Sequence, residues 1–486
     1  MMEKGTIFAV SNEFQKGTNS KSMGEIKKYL CYEKDADTDF DYRKTGFAYE
    51  VCHERADGKK KCTDCEENCA EKKRYYIKYI DISKLKQEKI NLGDKFLRSS
   101  PYVYLCCMGK ERELADLLKN ELIPAYLVPP KYIFDLSLPQ SKETLKGTAY
   151  PYRGIPWHQV MRECRGSMKQ SDFFLLKEKV IFQFLQAIKA LHQTPGNLVH
   201  RDLKPSNITI EKTGDSYGDN LLVSIIDWDW VCIGASANDP FADIAGGTSG
   251  FAHPRSLIRD RSGKLNAIPS KRWDFYSAAL TIYYILEDQY HFDEREKDYW
   301  KTNSAFHLKE MPKTKENLSI SCKDEKKMES CYAQLRNMLQ KMMGEDLEYR
   351  NQYQDIQEAI DDFEQYLVER CGKGYEKDFY ARYLLHNSDN RYCSENLMQI
   401  YCRYAKDEKE KNRYYVLAER DVVTVEQNGE KIAALYRVGT ETLYGLLLSD
   451  QWKWEKSNDI GMKMEYREVL YCEQTEEKLE IMHMFF

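Results

Sequence analysis

The chain has 486 residues, 42% hydrophobic and 31% charged, with a mean hydropathy of −0.69, which suits a water-soluble globular protein with two or three cores. Its 73 basic and 78 acidic residues leave a net charge of −5, so there is no electrostatic basis for binding nucleic acid or an anionic membrane. No apolar run approaches the ~18–20 residues needed to cross a bilayer, and the apolar stretch before Ser11 is too short for a secretion signal, so the expected location is cytoplasmic. Fifteen cysteines, an odd number, then read as reduced thiols, and the 35 scattered tyrosines as core filling.

In chain order, residues 1–25 carry no recognisable element. KTGFAYEVC (Lys44–Cys52) follows, with Gly46, Phe47 and Ala48 as its only glycine-bearing stretch. Next comes CHERADGKKKCTDCEENC, where Cys52, Cys62, Cys65 and Cys69 stand at x9, x2 and x3 spacing. Four thiols including a CxxC suit tetrahedral Zn²⁺, with His53 as a substitute ligand and flanking lysines favouring thiolate. The competing readings are an iron–sulfur cluster, or an exposed loop with incidental cysteines. RYYIKYID (Arg74–Asp81) alternates as a strand does and places Tyr76, Lys78 and Ile80 on one face. GKERELADLLKNEL (Gly109–Leu122) has helical spacing, and TAYPYRGIP (Thr148–Pro156) reads as a connector.

FFLLKEKVIFQFLQAIKALH (Phe173–His192) is an amphipathic helix that runs, after a short turn, into LVHRDLKPSNITI (Leu198–Ile210). The eight-residue HRDLKPSN resembles the catalytic loop of eukaryotic-like (Hanks-type) serine/threonine protein kinases. Further matches follow in that family's order. LLVSIIDWDWV (Leu221–Val231) stands where the family has a strand ending in DFG, with Trp228 for Phe and Asp229 for Gly. GTSGFAHPR (Gly247–Arg255) aligns with GTPxYxAPE, and RWDFYSAALTIYYIL (Arg272–Leu286) looks like the buried central helix.

The resemblance implies a bilobal α+β fold and transfer of a phosphoryl group from ATP with Mg²⁺ or Mn²⁺ to a hydroxyl of a protein substrate. It assigns the base to Asp202, contact with the transferred group to Lys204, and the metal to Asn207 and Asp227. Lys204 matches serine/threonine rather than tyrosine kinases. Lys78 becomes the lysine for the α- and β-phosphates, with Glu113 as its partner. Glu113 is preferred over Glu111 because the family has a large apolar residue four positions on, and Leu117 follows Glu113 where Ala115 follows Glu111. Gly46, Phe47 and Ala48 stand for the phosphate-covering loop, and Tyr150 and Tyr152 for the adenine-binding connector. Thr248 and Phe251 fall in the substrate loop, and Asp274 is the residue expected to hold the catalytic loop's backbone. Arg255 replaces a glutamate that ordinarily pairs with an arginine, here Arg350, so a nearby carboxylate must intervene or the site must be exposed. Losing the glycine at 229 puts regulation by a flip of this segment in doubt, and Asp239, Asp243 or a phosphorylated Ser236 could neutralise Arg201.

The expected layout is an N-lobe over 26–147 with the cysteine-rich insertion at 52–69, a connector and C-lobe over 148–370, and a small α+β domain over 371–486. That last part has helical character over 377–405, then strands, with a hairpin turn at Asn428-Gly429. It holds no catalytic constellation and reads as an interaction or regulatory module. Two rival functions stay open. IDW and DPFADIA (Asp239–Ala245) echo aminoglycoside kinases, and the sparse glycines with Asp229 and Arg255 suit a pseudokinase scaffold.

Overall fold

A computed structural model describes residues 7–10, 28–35, 43–51, 74–81, 101–118, 127–138, 143–194, 196–212, 221–234, 246–258, 267–292, 303–322 and 324–372, and strands between 415 and 484. The N-terminal part is a six-stranded antiparallel sheet in the order β1-β2-β3-β4-β6-β5. Its strands are β1 (Ile7–Val10), β2 (Lys28–Asp35), β3 (Arg43–Val51), β4 (Arg74–Asp81), β5 (Tyr132–Leu138) and β6 (Glu143–Pro151). Leu30, Ala48, Tyr75, Ile77, Tyr79, Phe134 and Ala149 pack one face into a core. On β4 that face takes the odd positions, so the even ones, Tyr76 and Lys78, are left for the other side. Helix α1 (Pro101–Leu118) packs on that sheet through β6.

The chain leaves β6 through Tyr152–Gly154 and enters β7 (Ile155–Pro156) and α2 (Trp157–Cys164). Gly154 sits at φ +56°, and a Cβ there would lie 2.1 Å from the Ile210 carbonyl oxygen, so only glycine lets this crossing lie against the C-terminal lobe. That lobe is built on α3 (Gln170–Gln193), α4 (Pro254–Leu257), α5 (Lys271–Glu287), α6 (Pro312–Ser321), α7 (Glu325–Met343) and α8 (Ile356–Cys371). Helix α5 is apolar all round, and Trp273, Phe275, Tyr276, Leu280 and Ile282 are buried on its different faces, which makes it the axis of the lobe. Asp355 and Glu358 form a capping box that starts α8.

Beside these helices, β7, β8 (Ile208–Lys212) and β9 (Leu221–Ile225) form a small antiparallel sheet. Its register, Ile208 opposite Ile225, brings Asn207 and Asp227 to one end. The α+β bilobal expectation holds. The catalytic-loop helix and the central helix fall within a few residues of their expected spans, at 170–193 and 271–287.

After Cys371 the described elements are strands. Four form an antiparallel sheet, β10 (Tyr415–Glu419), β11 (Val422–Gln427), β12 (Glu430–Val438) and β13 (Thr442–Leu447). Three form another, β14 (Trp452–Lys456), β15 (Glu465–Cys472) and β16 (Lys478–Met484). Gln427 pairs with Glu430 in the register of β11 and β12, and the Asn428-Gly429 expected at the turn lies outside the described residues. The helical expectation over 377–405 lies outside the described residues, as do Cys52, Cys62, Cys65, Cys69, His53, Ser236, Asp239 and Asp243.

Candidate active site

The HRDLKPSN loop is held from below by Asp274, which is fully buried on α5. Its Oδ2 accepts the His200 amide at 2.9 Å and meets His192 Nε2 at 3.0 Å, and its Oδ1 accepts the Arg201 amide at 2.9 Å. Those bonds stabilise an unusual backbone, since Arg201 sits at φ +68°. Gly247, at φ +108°, lies over the Arg201 carbonyl, where a Cβ would come within 2.7 Å. Val199 and Cys232 exchange backbone hydrogen bonds of 3.0 and 2.8 Å, tying the loop to the segment after Asp227. His200 closes the contact with its ring Nε2 3.1 Å from the Ile226 carbonyl, and burial holds its imidazole below the usual pKa.

On this platform four expected residues meet. Lys204 Nζ donates to Asp202 Oδ2 at 2.7 Å and to Thr248 Oγ1 at 2.8 Å, and the Thr248 hydroxyl donates to Asp202 Oδ1 at 2.6 Å. Asn207 Nδ2 donates to the Asp202 carbonyl at 2.8 Å and to Asp202 Oδ2 at 3.2 Å. Asp202 is thus a buried carboxylate ringed by an ammonium, an amide and a hydroxyl. With its nitrogen on Asp202, Asn207 leaves its amide oxygen, 3.5 Å from the Ser206 hydroxyl, at the same end of the β8–β9 ladder as the Asp227 carboxylate. An amide oxygen and a carboxylate are a fitting donor set for magnesium.

Across the cleft, Lys78 Nζ lies 3.3 Å from Glu111 Oε1, 2.9 Å from Asp229 Oδ1, and in close contact with Asp227. The partner of Lys78 is therefore Glu111, not Glu113. Lys110, Glu111, Leu114, Ala115 and Leu118 form the buried stripe of α1, whereas Glu113 and Asp116 point outward. Glu113 pairs with Lys110 at 3.2 Å, its side chain half exposed. Thr148 on β6 donates to Glu111 Oε2 at 2.8 Å, fixing the carboxylate that faces Lys78. The phase of the apolar residues Leu114 and Leu118 was the available signal, and it outweighs the size of the residue four positions on.

Trp228 takes the apolar slot expected for it. It is fully buried, its Nε1 donates to the Val128 carbonyl at 2.7 Å, and its ring centroid stands 5.2 Å from that of His200. Asp229 was assigned no site role from sequence, yet it reaches Lys78.

The placement of Gly46, Phe47 and Ala48 in a loop needs correction. Gly46, Phe47 and Ala48 lie inside β3, paired with both β2 and β4, so their amides belong to the ladder rather than to a loop. The β2–β3 connection spans 36–42, outside the described residues. Tyr150 pairs with Tyr76 in the sheet, and the Tyr152 amide donates to the Arg74 carbonyl at 2.9 Å. The Tyr152 N–H is therefore used by the sheet, and the Tyr150 ring lies 5.1 Å from the Lys78 ammonium. What the residues present instead is aromatic: Phe47 meets Tyr76 and Tyr152 edge to face at 5.6 and 5.8 Å, and the Arg74 guanidinium lies 4.3 Å over Phe47.

The substrate-loop end carries no pair of opposed arginines. Arg255 pairs with Glu348, whose side chain is 80% exposed, and Arg350 pairs with Glu345 at 3.0 Å. Each arginine thus has its own carboxylate partner. The buried anchor of this loop is His253, boxed by the rings of Trp273, Tyr276, Phe306 and Tyr349 at 6.0, 5.1, 5.9 and 5.5 Å. Phe251 is also buried, with Tyr290 edge-on at 5.8 Å. Among the described residues no group of His, Cys, Asp and Glu forms a metal cluster, and no helix is long and apolar enough to cross a membrane.

Comparison with known proteins agrees with this geometry. Residues 162–360 match the family model of the protein kinase domain. A protein of Acanthamoeba polyphaga mimivirus, provisionally named a serine/threonine-protein kinase, is 25% identical over 215 residues, covering 42% of this chain and 69% of the viral protein. The family match begins within α2, and the six-stranded sheet with α1 supplies the other wall of the cleft. A catalytic loop pinned by a buried aspartate, a lysine–glutamate pair facing it and the family match lead to one conclusion: this chain carries a protein kinase domain of the Hanks type.

Proposed function

We propose that the protein is an ATP-dependent serine/threonine protein kinase with Asp202 as its base. The observation that carries this reading is the Asp202–Lys204–Thr248–Asn207 cluster lying under the Lys78–Glu111 pair. Asp202 would accept the proton of the substrate hydroxyl as its oxygen attacks the γ-phosphorus and ADP leaves. Lys204 would neutralise charge on the transferred group, and its contact with Thr248 ties the peptide-binding loop to the reacting atoms. Lys78 would hold the α- and β-phosphates, kept in place by Glu111 and, behind it, Thr148. Asn207 and Asp227 would hold magnesium, which when bound screens phosphate charge.

The test is transfer of labelled γ-phosphoryl groups with casein-like protein and small aminoglycosides offered side by side. Label on serine and threonine of the protein, absent in Asp202→Asn, is the expected result. Label on the small alcohols alone would move the protein to the aminoglycoside-kinase type, and no transfer to either would make it a scaffold.

A further inference from the structure

We propose that the nucleotide's base is held by aromatic contact with Tyr76, so that the protein binds adenine and guanine nucleotides with similar affinity. The inference rests on the kinase reading above and gives a role to a ring that reading does not use.

Lys78, the lysine for the phosphates, fixes where the rest of a nucleotide must run. On β4, Arg74, Tyr76 and Lys78 share one face, opposite to that of Tyr75, Ile77 and Tyr79, which fill the sheet's own core. Tyr76 pairs with Tyr150, and the Arg74 carbonyl accepts the Tyr152 amide, so this face leads from Lys78 toward the crossing between the lobes. Tyr76 stands one strand repeat, about 7 Å, along that line. Phe47 lies directly across from it in the β3–β4 register. Phe47 and Tyr76 are half-buried and Tyr152 is exposed, whereas Tyr75, Ile77 and Tyr79 on the other face are buried. Aromatic surface left open to water beside a phosphate-binding lysine is suited to cover a flat heterocycle.

The rings stand at angles to one another. Phe47 meets Tyr76 at 67° and Tyr152 at 74°, and the Arg74 guanidinium lies 4.3 Å over Phe47 and 5.2 Å over Tyr152. Tyr76 is the one of these rings that shares a strand with Lys78. It also packs against the apolar core that runs through the C-terminal lobe, which fixes it where the two lobes meet. Stacking on such a ring does not tell one base from another, because every base has a π-face. Discrimination comes from hydrogen bonds to the base edge, where adenine carries an amino group and guanine a carbonyl. At the crossing Pro151 has no N–H, and the Tyr152 N–H donates to the Arg74 carbonyl at 2.9 Å. With those two donors out of play, stacking carries the larger share of base binding.

The experiment measures binding of ADP and GDP, each with magnesium, to the full chain by isothermal titration calorimetry. It compares wild type, Tyr76→Leu and Tyr76→Phe, with magnesium tripolyphosphate as a probe that has no base. Wild type is expected to bind the two nucleotides within about fivefold of one another, and Tyr76→Leu to bind both more weakly by on the order of tenfold. Tyr76→Phe, which keeps the ring, should recover the affinity, and tripolyphosphate should bind wild type and Tyr76→Leu alike. Melting curves check that all three proteins fold. A larger preference of wild type for either nucleotide overturns the proposal, because the base edge would then be read. So does a Tyr76→Leu protein that binds nucleotide as tightly as wild type or more tightly, which would make the ring a bystander or an obstacle. Weakened tripolyphosphate binding in Tyr76→Leu overturns it too, since the damage would then reach Lys78. Those failures leave the kinase reading standing, whereas a failure of every form to bind either nucleotide sinks that reading as well.

Discussion

Lowering the pH from 7 to 5 should loosen the substrate loop through a single residue, His253. Its imidazole is 1% exposed inside four aromatic rings, and burial, with Arg255 beside it adding to the effect, pushes its pKa from 6.5 down to about 3. The folded pKa lies below the unfolded one, so between those values the open loop binds more protons than the closed loop. Stability is then fully present above pH 6.5 and falls as the pH drops toward 3. The slope is about 1.4 kcal/mol per pH unit, hence about 2 kcal/mol between pH 6.5 and 5. Amide hydrogen exchange reads this locally at Phe251, Ala252 and Ser256, whose N–H groups donate within the loop to Thr248 and His253 carbonyls at 3.0, 2.9 and 2.8 Å. After correction for the intrinsic pH dependence of exchange, their opening free energy should fall with that slope in wild type. It should stay flat in His253→Phe, which fills the box without titrating. Parallel profiles for wild type and His253→Phe would refute the reasoning.

Glu111→Gln should lower kcat/KM by on the order of tenfold or more, because it weakens a buried charge-assisted contact with Lys78, whereas Glu113→Gln should stay within about twofold. Steady-state kinetics on any accepted protein substrate decide between them, and the reverse ranking would restore Glu113. Asp202→Asn should abolish phosphoryl transfer while ADP binding, measured by calorimetry, changes little, because the base stands on the substrate side. Arg255→Ala should cost about 0–1 kcal/mol, since its partner is largely exposed, while Trp273→Ala, at the centre of the lobe, should cost about 3–5 kcal/mol. Melting temperatures compare the two, and a large loss for Arg255→Ala would mean that the exposed pair, not the aromatic box, anchors the loop.

The catalytic half of the molecule was legible because its chemistry is local in sequence. Asp202, Lys204 and Asn207 lie within six residues on one loop, and the backbone that brings them together follows from Asp274 on a helix whose all-round apolar pattern is plain. The nucleotide half was harder to read because its residues come from separate strands whose registers composition does not reveal. Gly46 looked like a loop residue, but the pairing of β3 with β2 and β4 absorbs its amide, and the aromatic side chains of Phe47, Tyr76 and Tyr152 occupy the neighbouring surface.

The misplacement of Glu113 and the omission of Asp229 have a common origin. Matching a family pattern does not reveal where a side chain points, which the local backbone decides. On α1 the spacing Lys110–Glu111–Leu114–Ala115–Leu118 defines a single buried face, and a carboxylate on that face must find a partner because burying it alone costs too much. Lys78, the even-numbered residue of β4 that turns away from the sheet's own core, supplies it. Asp227, at φ +69°, and Asp229 in the turn that follows flank buried Trp228, and both carboxylates meet the same lysine. Replacing the family's glycine with aspartate at 229 therefore does more than stiffen a hinge: it adds a carboxylate 2.9 Å from the Lys78 ammonium.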